Sequence, residues 1–230
     1  MTRTGCCLQL GVEEYDKMLQ LQTSLNQARR AGAIPDTVIF LEHAPCFTVG
    51  RRGGFEHILV SDSILKNQGI MVYETDRGGD ITYHGPGQLI CYPIINLDGY
   101  GRDVHLYARR MEETLIRTLE FFGIVAGRKP GYPGVWAGSS KIAAEGISVR
   151  HWTTMHGVSL NVCPNMFHFS LIVPCGITEY GVTSMEEVLG KKVEMAEVRK
   201  QMCYQFSQVF EIQLEEVDLE ELRERMGNVG

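Results

Sequence analysis

The stretch that most restricts what this chain can become is Arg77-Gly78-Gly79-Asp80-Ile81-Thr82-Tyr83-His84-Gly85-Pro86-Gly87-Gln88, which runs directly into the apolar segment from Leu89 to Leu97. Four glycines in twelve residues are a liability unless the backbone must take positive φ or approach something closely. Set against a buried strand, such a run predicts a loop that lines a ligand. It is not a phosphate loop, because no Gly-Lys-Ser/Thr closes it. Nor is it a dinucleotide fingerprint, because Gly78-Gly79 has the wrong spacing and no helical pattern follows. The expected ligand is therefore not a nucleotide held in the usual way.

The 230 residues can bury a sizeable core as one large domain or two small ones, and no internal repeat or linker divides them. Asp98 to Asp103 is a conceivable joint, but both sides are equally apolar. The chain reads as a single domain over 1–230. A formal charge of −6 argues against general nucleic-acid binding. Leu89 to Leu97 is far shorter than the roughly 20 residues of a membrane span. Met1 to Gly5 lead straight into a strand-like run, without the pattern of a signal peptide. The seven cysteines are odd in number, irregularly spaced and often set in apolar runs, which fits reduced thiols and a cytoplasmic location.

Periodicity places strands at Cys6–Leu10, Thr37–Leu41, Cys46–Val49, Met71–Glu74 and Leu89–Ile95. Short strands around tight turns are expected at Gly134–Ala137, Lys141–Ala144, Gly146–Val149 and Gly157–Val162. Helices are expected over Glu13–Arg30, Ser61–Lys66 and Val104–Phe122. A C-terminal helix carries Met195, Val198, Met202, Phe206 and Val209, followed by a strand over Ile212–Val217 and a short last helix. Strands mixed with helices, without regular βαβ alternation, predict a mixed-sheet domain of the α/β (α+β) class.

Few residues stand out chemically. Cys175 lies between Pro174, which fixes φ, and Gly176, which permits an unusual turn; together they can present a thiol at a strand end and leave backbone N–H groups free. A nucleophilic cysteine also needs a nearby base or positive charge. Lys141 follows a turn of small residues and opens an apolar strand, where it is either an exposed hairpin lysine or a base held in an apolar pocket. His84 and His156 each precede glycine and serve either as hydrogen-bonded loop residues or as partners of Cys175. No ligand spacing links the three into a metal site. Arg51-Arg52 and Arg109-Arg110 are solvated surface or docking points for an acidic partner.

The glycine run is followed in order by Tyr92-Pro93-Ile94, Gly134-Val135-Trp136, Lys141-Ile142-Ala143 with Gly146, His156-Gly157, Leu160-Asn161, Pro174-Cys175-Gly176 and Gly181-Val182-Thr183-Ser184. Through these blocks most of the chain resembles the lipoyl(octanoyl) transferases. The resemblance implies the fold of the biotin and lipoate protein ligase catalytic modules. It implies transfer of octanoate from octanoyl-acyl carrier protein to a lysine of apo lipoyl domains, those of 2-oxoacid dehydrogenase E2 subunits and the glycine cleavage H protein. Cys175 matches the acyl-thioester nucleophile, and Lys141 the partner that favours its thiolate and moves protons. The acyl site is matched by Arg77, Gly78, Gly79, Asp80, Ile81, Thr82, Tyr83 and His84, by Ala144, Glu145 and Gly146, and by Gly157, Val158 and Ser159. No cofactor and no metal is implied. Glu145 stands where an apolar residue is common, and Ser159 where alanine is common. The competing readings are an ATP-dependent lipoate or biotin ligase, a cysteine enzyme moving octanoate between lipoyl-bearing proteins, and a non-catalytic acyl-binding module.

Overall fold

The computed structural model describes residues 3–227. In chain order, β1 (Arg3–Glu13), α1 (Tyr15–Ala31), β2 (Asp36–His43), β3 (Cys46–Val49), α2 (Asp62–Asn67) and β4 (Met71–Glu74) lead into β5 (Ile81–His84) and β6 (Gln88–Ile94). Then come α3 (Val104–Phe121), β7 (Gly127–Lys129), β8 (Tyr132–Ala137), β9 (Ser140–Arg150) and β10 (Thr153–Asn161). The chain continues with α4 (Met185–Leu189), α5 (Met195–Phe210), β11 (Ile212–Val217) and α6 (Leu219–Gly227). Eight strands form one sheet in the order β11-β1-β2-β6-β10-β9-β8-β7, and β4-β3-β5 form a second. β1 runs parallel to β11 and β2, whereas β2, β6, β10 and β9 pair antiparallel, so the sheet is mixed as expected.

Alternation sorts the strand side chains to two faces. Val38, Phe40, Leu89, Cys91, Val158 and Leu160 pack with Met111, Leu115 and Leu119 of α3 and with Met202 and Phe206 of α5. Ile39, Leu41, Ile90, Tyr92 and Ile94 turn the other way, onto Met18 and Leu25 of α1 and Leu222 of α6. The small sheet closes the same side through Phe47, Ile81 and Tyr83, and Tyr15 of α1 stacks on His84 of β5. Each fully buried Leu, Ile or Phe is worth about 1.5–3 kcal/mol of transfer free energy, so both faces are strongly anchored.

One irregularity positions the site. β9 pairs with β8 as Val135↔Ala143 but Trp136↔Lys141, so two residues of β9 oppose one step of β8. Ile142 is the extra residue of a β-bulge, and Ile142 and Ala143 both join the α3-side core. A bulge reverses the alternation beyond it. Lys141 is thereby brought to the face where Ala144 and Ser159 lie, although simple alternation from Ala143 would send it toward α3.

The structure departs from the sequence reading in places. The glycine run is only partly a loop: Ile81–His84 form β5, all four residues buried. Lys141–Ala144 and Gly146–Val149 are halves of one 11-residue strand, in which Gly146 leaves room for Arg77 and Gly78; a Cβ there would meet Gly78 O at 3.1 Å. The helix Met185–Leu189, capped by Ser184 accepting from the Glu187 amide, lacks the length that would have made its period visible.

Candidate active site

Cys175 occupies the left-handed region (φ 58°, ψ 17°), uncommon for a residue with a Cβ. Gly176 follows at φ 66°, and a Cβ there would stand 2.5 Å from an Asp80 carboxylate oxygen. The turn is fastened behind by the Val173 amide donating to His57 O at 2.9 Å. Lys141 Nζ reaches Cys175 Sγ at 3.5 Å. The lysine is buried and makes no ion pair among the described residues. Its backbone is clamped by Gly181 O, which accepts from the Lys141 amide, and by the Thr183 amide, which donates to Lys141 O. Of the other cysteines, Cys6, Cys7, Cys46 and Cys91 are buried, and burial pushes the Cys46 and Cys91 thiols up; Cys163 and Cys203 are half-buried like Cys175 but line neither recess.

Two recesses share Thr82, Ala144, Ser159 and Cys175, and the second also touches Lys141. One is lined by Tyr15, Arg77, Gly79, Asp80, Thr82, His84, Tyr92, Ala144, Glu145, Gly146, His156, Gly157, Val158, Ser159 and Cys175. The other is lined by Thr82, Gln88, Lys141, Ala144, Ser159, Asn161, Phe169, Pro174, Cys175 and Val182. Residues of all three distant segments singled out in the sequence lie around the thiol, but Gly78, Ile81 and Tyr83 line neither recess, and Ile81 and Tyr83 turn into the core of the small sheet. The space is a narrow slot, walled by backbone and polar side chains.

The polar wall is built with care. Arg77 is buried; its Nε donates to Thr48 Oγ1 at 3.0 Å and its Nη1 to Gly78 O at 3.0 Å, with no carboxylate at ion-pair distance among the described residues. Burial holds its pKa down, and the neighbouring groups include Tyr15 and Cys175. His84 Nδ1 lies 2.8 Å from Gln88 Oε1, while Gln88 Nε2 donates to Tyr83 O and Asn161 Oδ1. That amide orientation assigns the proton to His84 Nδ1 and leaves Nε2 as an acceptor. Burial lowers His84 to about 3 and His43 to about 4, so both are neutral imidazoles at ordinary pH. His43 donates from Nδ1 to Glu13 O and accepts at Nε2 from the Tyr92 hydroxyl. His156, at φ 57°, donates from Nε2 to Asp76 at 2.8 Å, and its buried Nδ1 has no partner among the described residues. That bond, aided by Arg150, holds Asp76 well below the usual carboxylate range.

Some expectations need correction. The amides of Gly176 and Ile177 are not free for an oxyanion; they donate to Val173 O and Pro174 O at 3.0 Å. The glycines of the run do not all make room for a ligand. Gly87 is at φ 88°, and a Cβ there would meet Cys163 O at 2.3 Å, so it serves a tight internal turn. Glu145 borders the slot, but its carboxyl is buried toward Glu112 and Arg128; burial pushes it up to about 8, helped by Glu112. Arg109 and Arg110 lie on α3, across the sheet from the thiol, while the amides of Arg51 and Arg52 donate to Arg77 O and Gly79 O behind the wall of the slot. His57 was invisible in the sequence. Its Nδ1 sits 2.9 Å from Asp80 Oδ2, and the pair flanks Gly176, but only the fold brings the two together. Among the described residues no group of three or more His, Cys, Asp or Glu is placed to hold a metal ion, and no helix is long and apolar enough to cross a membrane.

A mixed eight-stranded sheet with a small three-stranded sheet beside it is the fold of solved lipoate and biotin protein ligase structures. The structure superposes on lipoate-protein ligase A bound with ATP with a TM-score of 0.77 at 19% identity, covering 98% of this chain and 95% of that one. With the biotin protein ligase of Aquifex aeolicus the TM-score is 0.52 at 13% identity, covering 90% and 69%. Within that fold class sequence similarity is decisive. The lipoyl protein ligase A/B catalytic domain model matches residues 14–207. The chain is 42% identical over 219 residues to the octanoyltransferase of Desulforamulus reducens (95% of this chain, 96% of the relative) and 45% identical over 221 residues to that of Thermoanaerobacter sp. X514 (96% of each). The chain belongs to the octanoyltransferase family, a group of acyltransferases.

Proposed function

We propose that this enzyme moves an octanoyl group from octanoyl-acyl carrier protein to the target lysine of apo lipoyl domains, through a thioester on Cys175. The acceptors are the lipoyl domains of 2-oxoacid dehydrogenase E2 subunits and the glycine cleavage H protein. The observation that carries the reading is the 3.5 Å contact between Lys141 Nζ and Cys175 Sγ, the thiol lining both recesses.

The chemistry follows from these groups. The Cys175 thiolate, stabilised by the Lys141 ammonium and by the buried charge of Arg77, attacks the donor thioester. The carrier's thiolate departs and takes a proton from Lys141. The lysine, now neutral, accepts a proton from the incoming acceptor ammonium. The freed amine attacks the Cys175 thioester, the tetrahedral adduct gives its second N–H proton to water, and as the C–S bond breaks an amide forms and the Cys175 thiolate is regenerated beside protonated Lys141. One thioester exchanges for another and then for a more stable amide, so no ATP is consumed. His84, neutral and facing the slot, orients the acyl carbonyl region without donating a proton from Nε2. Arg51 and Arg52, beside the slot, receive the acidic carrier protein. A free thiol nucleophile suits a reducing compartment, and we place the enzyme in the cytoplasm.

The test is incubation with octanoyl-carrier protein, followed by intact-mass measurement. One octanoyl adduct is expected on the wild type and none on Cys175→Ala. No adduct on the wild type, or one that survives in Cys175→Ala, would sink the cysteine mechanism, and transfer of free octanoate that requires ATP would replace it with a ligase mechanism. Faster transfer from an octanoylated lipoyl domain than from the carrier protein would change the donor.

A further inference from the structure

Beside the dyad stands a group of aromatic rings that the reaction above does not use. Tyr132, Trp136 and Tyr180 are mutually edge-on, with ring centroids 5.9, 5.3 and 5.5 Å apart and interplanar angles of 71°, 86° and 82°. Three rings so arranged make a cage open on one side. Its occupant is an ammonium of the same chain: Lys129 Nζ lies 3.3 Å from the Tyr180 ring centre, 4.9 Å from that of Trp136 and 6.0 Å from that of Tyr132. Aromatic faces attract cations, and cages of this kind select lysine-type ammonium groups.

The cage shares a wall with the proposed chemistry. Lys141 Nζ lies 5.1 Å from the centre of the Trp136 ring, so one indole contacts both the dyad lysine and the caged one. Tyr180 follows Cys175 by five residues, and the next residue, Gly181, accepts from the Lys141 amide at 2.9 Å. The cage and the dyad are therefore held in one frame. Trp136 is itself fixed, buried and donating from Nε1 to Tyr132 O at 3.2 Å. Lys129 makes no ion pair among the described residues and is only partly buried, so nothing but the rings retains it.

We propose that Tyr132, Trp136 and Tyr180 form the docking cage for the ε-ammonium of the acceptor's target lysine, and that Lys129 is its placeholder in the resting enzyme. The inference rests on the acyl-transfer reading above. An amine arriving from water is protonated, and it must be held as a cation next to the group that will take its proton. A cage adjoining Lys141 meets both needs. The acceptor lysine displaces Lys129, then passes along Trp136 to the thioester.

The experiment separates the two halves of the reaction. Enzyme is first loaded from octanoyl-carrier protein, then discharged either to an apo lipoyl domain or to hydroxylamine, a small uncharged nucleophile that has no use for the cage. For Tyr180→Leu the expected result is a rise in acceptor KM of about fivefold to thirtyfold, the range of a partly desolvated cation–π contact. Discharge to hydroxylamine stays within twofold of wild type, and Tyr180→Phe restores the acceptor KM. Lys129→Met, which empties the cage, lowers the acceptor KM. Equal slowing of both discharges in Tyr180→Leu, or an unchanged acceptor KM, would overturn the cage. A raised acceptor KM in Lys129→Met would overturn the placeholder. If the wild type never loads, the acyl-transfer reading itself falls and the cage with it; a wild type that loads, with a Tyr180→Leu that discharges normally, defeats the cage alone.

Discussion

The two faces of the eight-stranded sheet are equally shut off from water and built from different material. Under α3 and α5 the strands present Val38, Phe40, Leu89 and Leu160 to Met111, Leu115 and Phe206, an almost wholly apolar packing. On the other face, near the small sheet, Arg77, His84, Gln88, Lys141, Ser159 and Asn161 are all buried. Buried polar groups are costly unless their hydrogen bonds are completed. Most here are completed within the protein, through the chain His84–Gln88–Asn161–Thr183 O and the Arg77–Thr48 bonds. The first face is apolar throughout; the second joins an apolar core under α1 and α6 to a fixed arrangement of charge and dipole around a thiol.

Substitutions should therefore separate the faces. Cys175→Ala is expected to lower octanoyl transfer by about 10³-fold or more, with thermal stability within about 1 kcal/mol of wild type, because the thiol packs at a half-exposed turn. Steady-state transfer and a melting curve check both halves. Lys141→Ala should lose about 10² to 10⁴-fold, the usual range for a proton-transfer group. Lys141→Arg keeps the charge but cannot readily give up a proton; a wild-type rate in that variant would leave Lys141 with an electrostatic role only.

Leu115→Ala is the reverse experiment. It should cost about 2–5 kcal/mol in urea unfolding and leave transfer per folded molecule unchanged. A loss of activity out of proportion to the unfolded fraction would mean that the apolar face transmits strain to the dyad. A smaller effect is expected at the rim. Reversing Arg51-Arg52 to glutamates should raise the KM for carrier protein about tenfold at low salt, whereas reversing Arg109-Arg110 on α3 should change it less than twofold.

The pH dependence has opposite signs on the two faces. Glu145 binds its proton more tightly folded, at about 8, than unfolded. The native state then holds the extra proton between about 4.5 and 8, and stability falls as pH rises through that window. Glu145→Gln should flatten the decline, read as a melting temperature at pH 8 closer to that at pH 6. His43 and His84, lowered to about 4 and 3, act the other way: the unfolded state takes up their protons first, so stability falls as pH drops below about 6.5.

Much of this was legible before folding. The apolar period of α3 and the burial of β6 are strong local signals, and the flanks of Cys175 mark it among seven cysteines because proline and glycine restrict backbone angles locally. Less legible was anything that depends on register. Ile81–His84 read as loop because glycine dominated the window, yet the pairing Thr82↔Thr48 makes it a strand. His57 and Asp80 meet only because residues 57–59 zip against 171–173. Tyr180 gave no signal at all, since its value lies in its distance from two other rings.

The bulge at Ile142 has a consequence for how this site can vary. Because Lys141 reaches the thiol through one surplus residue in β9, the dyad is written into the chain as a count as well as an identity. Residue 142 can drift among apolar types without disturbing it. Losing that one position would leave every functional residue present and turn the ammonium away from the sulfur, so insertions and deletions between 136 and 144 are the changes this enzyme can least survive.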